Sequence, residues 1–288
     1  IQYKIGVSQK GSEMSKQDQY FNSKLKWFSQ FQRLILAIFF GIDLMIVFLG
    51  TTGRLNLFYP KPFPLEWADI PTRVFIMGSS PGTADAHLDE FPQHQVYLTA
   101  YQINRYLITN KQYLQCVQLG ICEQPSVLIE ISEKADHPVV NVTLSDAQTF
   151  CEWHGARLPT EAEWEMAARG GLVGARYPWG DQISCQFANY NDCAENTTPV
   201  GSYPPNGYGL YDMAGNVWEW VSDWYSGNYY KNSPFENPTG PAEGDHRVLR
   251  GGSWGEGQEF LRAAHRRFNV PSYPHDFIGF RCVRPKTQ

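Results

Sequence analysis

The sequence has no CxxC pair, no HxxxH pair and no cysteine before Cys116. It is also poor in charge, with 18% of its 288 residues Asp, Glu, Lys or Arg, below the ~25% usual for soluble domains. The missing CxxC excludes a zinc ribbon, and the missing HxxxH excludes two histidines stacked one helical turn apart on a metal. Low charge combined with 15% aromatic residues excludes a disordered or coiled-coil chain. A formal net charge of −5 provides no electrostatic footprint for nucleic acid. What is present is 25 Gly, 19 Pro and 9 Trp. That composition predicts a loop-rich domain held by turns and aromatic packing, in a chain long enough to bury a sizeable core.

The charge is unevenly placed. Residues 1–33 carry Lys4, Lys10, Lys16, Lys24, Lys26 and Arg33 against Glu13 and Asp18, which is +4, so the rest of the −5 chain carries −9. Leu34–Gly50 then reads LILAIFFGIDLMIVFLG, apolar except for Asp43. Extended by Thr51 and Thr52 it approaches the ~20 residues of a spanning helix. A cleaved signal peptide would need a shorter run and a small-residue cleavage site. A buried core helix would show an amphipathic stripe. The expectation is therefore a cytoplasmic tail (1–33), a transmembrane helix (34–52), a Pro-rich linker (53–68) and an outer domain (69–288). Basic residues before the run place the N-terminus in the cytoplasm and the C-terminal domain in the periplasm or outside the cell. A lone carboxyl at Asp43 costs at least ~2.5 kcal/mol in a span. It is read either as protonated or snorkelling, or as a hydrogen-bonding contact to a partner helix in a membrane assembly.

All six cysteines lie after the linker. They allow ~15 pairings. Cys116 with Cys122, and Cys185 with Cys193, are close enough for local loops, which leaves Cys151 and Cys282 to close a long one. An all-disulfide set in an oxidising compartment is expected.

Secondary structure is sparse. Arg73–Ser79 and His94–Tyr106 alternate like strands. A helix is expected after Thr109, ending at Gly120. Ser145 with Gln148 suggests a capping box for a helix through His154, and Thr160 with Glu163 suggests another for EAEWEMAAR, up to Gly170. GFRCVRP reads as a closing strand. Few strands, few helices and much ordered coil give an α+β domain.

Five blocks appear in order: HPVVNVTLSDAQTFCEWHGARLPTEAEWEMAARGG, YPWGD, VGSYPPNGYGLYDMAGNVWEW, LRGGSW and IGFRCV. Together they resemble the formylglycine-generating-enzyme, or sulfatase-modifying-factor, family. The resemblance implies a C-type-lectin-like fold and a disulfide between Cys151 and Cys282. The oxidase branch uses copper on two cysteines just after the GGS turn, and soft Cu(I) suits such a thiolate pair. Here that stretch reads GGSWGEGQEFLRAAHRRFNV and has no cysteine, so no copper is expected. A second branch holds iron on three histidines of an extra helical domain, for which nothing here corresponds. Leu107 and Leu144 stand where many members carry a glutamate and a tryptophan, which fits loss of catalysis. Trp164, Trp179, Trp218, Trp220 and Trp254 read as core.

The remaining candidates are Glu256, Arg262, His265 and Arg266 in the cleft region, and an oxygen-rich turn. His265 reads as a base, a ligand or a structural hydrogen-bonder. The arginines read as an anion site, or as partners of acids such as Glu219 or Asp223. Asp212 and Glu219 flank a tight turn at Gly215, and carbonyls of Gly215 and Val217 would complete a cage for a hard cation. The resemblance implies structural calcium at these four positions, and a second site beginning at Asn189 and Tyr190. Turn capping and an ion pair are the plain alternative for Asp212 and Glu219. Three functions follow: a non-catalytic, membrane-anchored subunit of a membrane protein complex; an extracytoplasmic enzyme with a cysteine-independent reaction; or a lectin-like receptor.

Overall fold

The computed structural model describes residues 62–127 and 134–286. The apolar run, Asp43 and most of the Pro-rich stretch lie outside these residues. No helix among the described residues is long and apolar enough to cross a membrane.

Among the described residues, nine short strands and three α-helices are embedded in coil. β1 (Trp67–Ile70), β4 (Tyr101–Asn104) and β9 (Val283–Pro285) form an antiparallel sheet in the order β1-β4-β9. β2 (Arg73–Met77) pairs with β3 (His94–Leu98), and β5 (Trp218–Trp224) sits in the order β7-β6-β5-β8 with β6 (Arg247–Arg250), β7 (Arg267–Asn269) and β8 (Ile278–Gly279). β1 begins inside the stretch read as linker, so Trp67 and Ala68 are part of the domain's sheet.

Two sequence expectations split. The alternating run His94–Tyr106 is two strands in different sheets, because the chain turns a corner at Thr99 and Ala100. The amides freed there are satisfied by side chains: Thr99 N–H donates to Asn237 Oδ1 at 3.0 Å and Ala100 N–H to Thr72 Oγ1 at 2.9 Å. The closing strand is likewise broken. Between β8 and β9, Cys282 reaches Cys151, its N–H donates to Asn104 Oδ1 at 2.9 Å, and Arg281 turns into the interior.

The helices follow their caps. α1 (Asn110–Gln118) starts at Thr109, whose side chain accepts from Gln112 N–H while Gln112 reaches back to Thr109 N–H at 2.9 Å. It stops before Gly120 at φ 69°, a left-handed position suited to glycine. α2 (Leu144–Trp153) corrects the expected Ser145/Gln148 box. Thr143 is the cap and Asp146 closes it, accepting Thr143 N–H at 2.8 Å. An aspartate three residues on reciprocates as a glutamate would and suits the helix dipole, so the helix starts two residues earlier. α3 (Glu161–Ala168) uses the expected Thr160/Glu163 box. Every residue of α3 is buried, which leaves it no polar face.

α3 packs between the sheets. One core cluster gathers Ala162, Trp164, Met166 and Ala167 with Ile70, Val96, Leu98, Ile103 and Val248. A second gathers Phe150, Leu158, Trp218, Trp220, Leu249 and Phe280 around the Cys151–Cys282 sulfurs. Trp164, Trp218 and Trp220 are fully buried; Trp179 and Trp254 are half-buried. The disulfides are Cys116–Cys122, Cys151–Cys282 and Cys185–Cys193. They use all six cysteines of the chain.

Candidate functional site

The absence of a polar face on α3 is resolved by ion pairing. Glu161 accepts from Arg266 Nε at 2.7 Å and Nη2 at 2.9 Å, from Arg250 Nη1 at 3.0 Å and from Tyr230 at 3.2 Å. Glu165, one turn on, accepts from Arg250 Nη2 at 2.6 Å and from Arg169 Nε and Nη2 at 3.0 and 2.7 Å. Glu163 lies toward the surface and holds Arg157 with two bonds of 2.6 and 2.7 Å. Burial opposes ionisation of Glu161, but Arg266 and Arg250 outweigh it and hold its carboxyl below the usual range. Asp223 has no such partner. It accepts the Glu161 N–H at 2.9 Å, and burial beside the Glu161 charge pushes its carboxyl up to about 7.

Arg262 and His265 are buried in this interior with 2% exposure each, and Arg262 also lines an open cleft. Their acid is Glu90, on a short 3-10 turn (Leu88–Glu90), and not Glu219 or Asp223. Arg262 Nη1 and Nη2 donate to the two Glu90 oxygens at 2.6 and 2.8 Å. Ser79 donates to Oε2, and His87 N–H donates to Oε1 at 3.0 Å. Burial raises the Glu90 pKa, yet the bonds from Arg262, His265 and Ser79 overcome it and keep the group ionised. His265 packs edge-on to His87 and Phe260 with ring centroids 4.9 and 5.2 Å away. Burial lowers its pKa.

Among the described residues, His87, Glu90 and His265 are the one set of three His or acidic side chains with ligand atoms within 4.8 Å of one another. It is a poor metal site. A carboxylate offers about four lone-pair positions, and Arg262, Ser79 and the His87 amide already occupy those of Glu90.

Glu256 is separate from this cluster. It accepts from Trp218 Nε1 at 2.5 Å and pairs with Arg267, whose guanidinium lies 5.3 Å from the Trp218 ring centroid. The stretch that would carry a thiolate pair is therefore folded around a carboxylate and an arginine. With no thiol left over and a carboxylate and a guanidinium in this segment, these donors do not fit Cu(I).

The oxygen-rich turn is built as a tight corner. Asp212 and Asn216 adopt φ of 54° and 63°, and Gly215 adopts 80°. A Cβ on Gly215 would meet Asn189 O at 2.3 Å, so only glycine fits. Glu219 is fully buried and is held by Arg281 through Nε at 2.7 Å and Nη2 at 2.9 Å. Burial raises its pKa against that attraction. Asp212 has no cation hydrogen-bonded to its carboxylate. It accepts the Gly201 N–H at 2.8 Å, and burial pushes its carboxyl up to about 6. Arg281 thus pairs with the Glu219 carboxylate, and the Asp212 carboxylate is held by a backbone amide. Of the plain alternative, the ion pair is the one Glu219 makes with Arg281, and the capping contact is the one Asp212 makes with the Gly201 N–H. Asn189 Oδ1 accepts the Ala194 N–H at 3.2 Å, and its carbonyl accepts the Asn216 N–H at 2.9 Å. The Tyr190 carbonyl accepts the Cys193 N–H at 2.8 Å. Leu107 and Leu144 are buried apolar residues.

Sequence reasoning missed Glu90, Glu165, Arg169 and Arg250. The pair Glu165/Arg169 was visible as an acid four residues before a base, and Glu161-x-Glu163-x-Glu165 as three acids on an otherwise apolar helix.

Small sheets joined by long ordered coil, closed by three disulfides and wrapped on a buried, ion-paired helix, define the formylglycine-generating type of domain. The chain belongs to that family: residues 61–286 match the sulfatase-modifying factor enzyme 1-like domain. It is 41% identical over 247 residues to a protein named serine/threonine-protein kinase pkn1 from Chlamydia pneumoniae, covering 78% of this chain and 39% of the relative. The chain thus spans about two fifths of that relative's length. It is 34% identical over 291 residues to the formylglycine-generating enzyme of Thermomonospora curvata, covering 78% of this chain and 96% of the enzyme. Among solved structures it resembles PvdO from Pseudomonas aeruginosa with a TM-score of 0.68 and 28% identity, covering 76% of this chain and 94% of PvdO.

Proposed function

We propose that the protein is a non-catalytic member of its family, an interaction subunit of a membrane protein complex with its domain outside the cytoplasm. The observation that carries this is the sulfur inventory. All six cysteines are spent in disulfides, and the segment after the Gly251-Gly252-Ser253 turn holds Glu256 against Arg267 and Trp218. Three disulfides also suit an oxidising compartment. The apolar run 34–52 is read as the anchor, with Asp43 as its contact to partner helices. A structural calcium on Asp212, Gly215, Val217 and Glu219 is part of this reading, supported by the unmatched Asp212 carboxylate. An enzyme using Glu256, Arg262 and His265 has less support, because Glu90 holds Nη1 and Nη2 of Arg262 and Arg267 holds Glu256. The lectin-like reading has no separate observation in its favour.

The experiment is purification of the full chain in mild detergent, followed by identification of what accompanies it. A defined set of membrane subunits is expected, and Asp43→Leu is expected to release them. A solitary monomer would sink the subunit role. Conversion of a cysteine to formylglycine in a sulfatase peptide would sink the non-catalytic one.

A further inference from the structure

Arg262 has a second environment. Together with Arg169, Arg176, Ser80, Thr83 and Ala84 it lines an open cleft of 500 Å³. Small residues keep the cleft roomy: an added Cβ at Gly82 or Gly174 would meet nothing within 4 Å. Arg262 and Ala264, from the segment after the Gly251-Gly252-Ser253 turn, form part of its wall, and the Asp212 turn does not contribute.

The donors facing it outnumber the acceptors. A guanidinium carries five N–H groups. Those of Arg176 are engaged only by Tyr177 at 3.0 Å and by Asp85. Among the described residues Arg262 Nε is buried with no hydrogen-bond partner, and its ion pair with Asp85 Oδ1 spans 3.5 Å. The charge behind the wall points the same way. Arg169 and Arg250 share Glu165, Arg250 and Arg266 share Glu161, and Arg262 has Glu90. Arg262 and Arg176 also share Asp85, so five guanidinium groups face four carboxylates. Asp223 aims its carboxylate at the Glu161 amide and the Ser222 hydroxyl, not at a guanidinium. A buried cation without its own counter-charge is costly, and a bound anion offsets that cost. Arginine is suited to the task because its planar fork matches an oxyanion.

We propose that this cleft is a binding site for a compact oxyanion group, a carboxylate or a phosphate, held by Arg176 and the Nε–H of Arg262. The site is independent of the subunit role and of the calcium turn. Arg176 supplies the exposed donors and Arg262 the buried one, so the ligand enters from solvent with its oxygens leading.

The test titrates inorganic phosphate and, separately, acetate into the purified full chain by calorimetry, with sodium chloride at matched ionic strength as control. Saturable binding of at least one anion is expected, and which one binds separates the two sources. Arg176→Gln removes charge-assisted bonds worth about 1.5–3 kcal/mol, a loss of about 10- to 100-fold in affinity. Ala84→Trp fills the cleft without touching the ion network and is expected to abolish binding. Both variants should melt close to the parent, which separates lost binding from lost folding. No saturable binding of either anion overturns the proposal, as does binding that survives both substitutions.

Discussion

Glu161→Gln tests whether the buried ion pairs hold the domain together. The change is nearly isosteric, so packing in α3 is kept. The parent carboxylate accepts four bonds from Arg250, Arg266 and Tyr230. In the variant an amide nitrogen faces donors, and two guanidinium groups lose a counter-charge at positions with no solvent, since the Arg250 and Arg266 side chains are 0% exposed. Removing one partner of a buried pair costs about 3–5 kcal/mol. The total stability of a domain is only about 5–15 kcal/mol. At about 2–4 °C per kcal/mol for a domain of this size, Tm should fall by about 6–20 °C. Denaturant titration gives the free energy, and Arg157→Gln serves as comparison because its pair with Glu163 is half-exposed and exposed pairs contribute about 0–1 kcal/mol. A loss below about 1 kcal/mol for Glu161→Gln, or equal losses for both variants, would refute the reasoning.

The three disulfides should differ in value. Cys151–Cys282 closes a loop with sequence separation 131, against 6 and 8 for the other two. Chain entropy then predicts a loss of about 5 kcal/mol for Cys151→Ala with Cys282→Ala, and only about 2 kcal/mol for either local pair; equal losses in denaturant melts would contradict this. Stability should also depend on pH through Asp223. Its folded pKa of about 7 exceeds the 3.8 of a free aspartate, so the folded state holds the extra proton. That contribution is full below about pH 4 and is lost as pH rises through 7; Asp223→Asn should flatten this slope in melts from pH 4 to 8, and an unchanged slope would count against it. Chelator should lower the melting temperature of the parent but not of Asp212→Asn, and a chelator-insensitive parent would argue against structural calcium.

The sequence resolved the local structure where a single side chain decides it. Thr109 and Thr160 cap the helices they precede, and Gly120 and Gly170 sit at left-handed positions just past two helix ends. The nearness of Cys116 to Cys122, and of Cys185 to Cys193, was enough to pair them. The Thr143 cap was missed because two overlapping boxes fit the same stretch, and only the placement of α2 chooses between them. The strand breaks at Thr99 and Arg281 were missed because alternation does not reveal which sheet receives the next residue.

The site divides along the same line. Residue type alone determined that the stretch 251–270 holds no cysteine, that the chain after residue 33 is acidic, and that Asp212, Gly215 and Glu219 form an oxygen-rich corner. Those properties are local, set by residue type and spacing. Only the tertiary structure decided that Arg262 belongs to Glu90, 172 residues away, that Arg250 bridges Glu161 and Glu165, and that Arg281 takes Glu219 and leaves Asp212 unmatched. Charge pairing in an interior is settled by which elements meet, because a buried arginine binds whichever carboxylate the fold brings within about 3 Å.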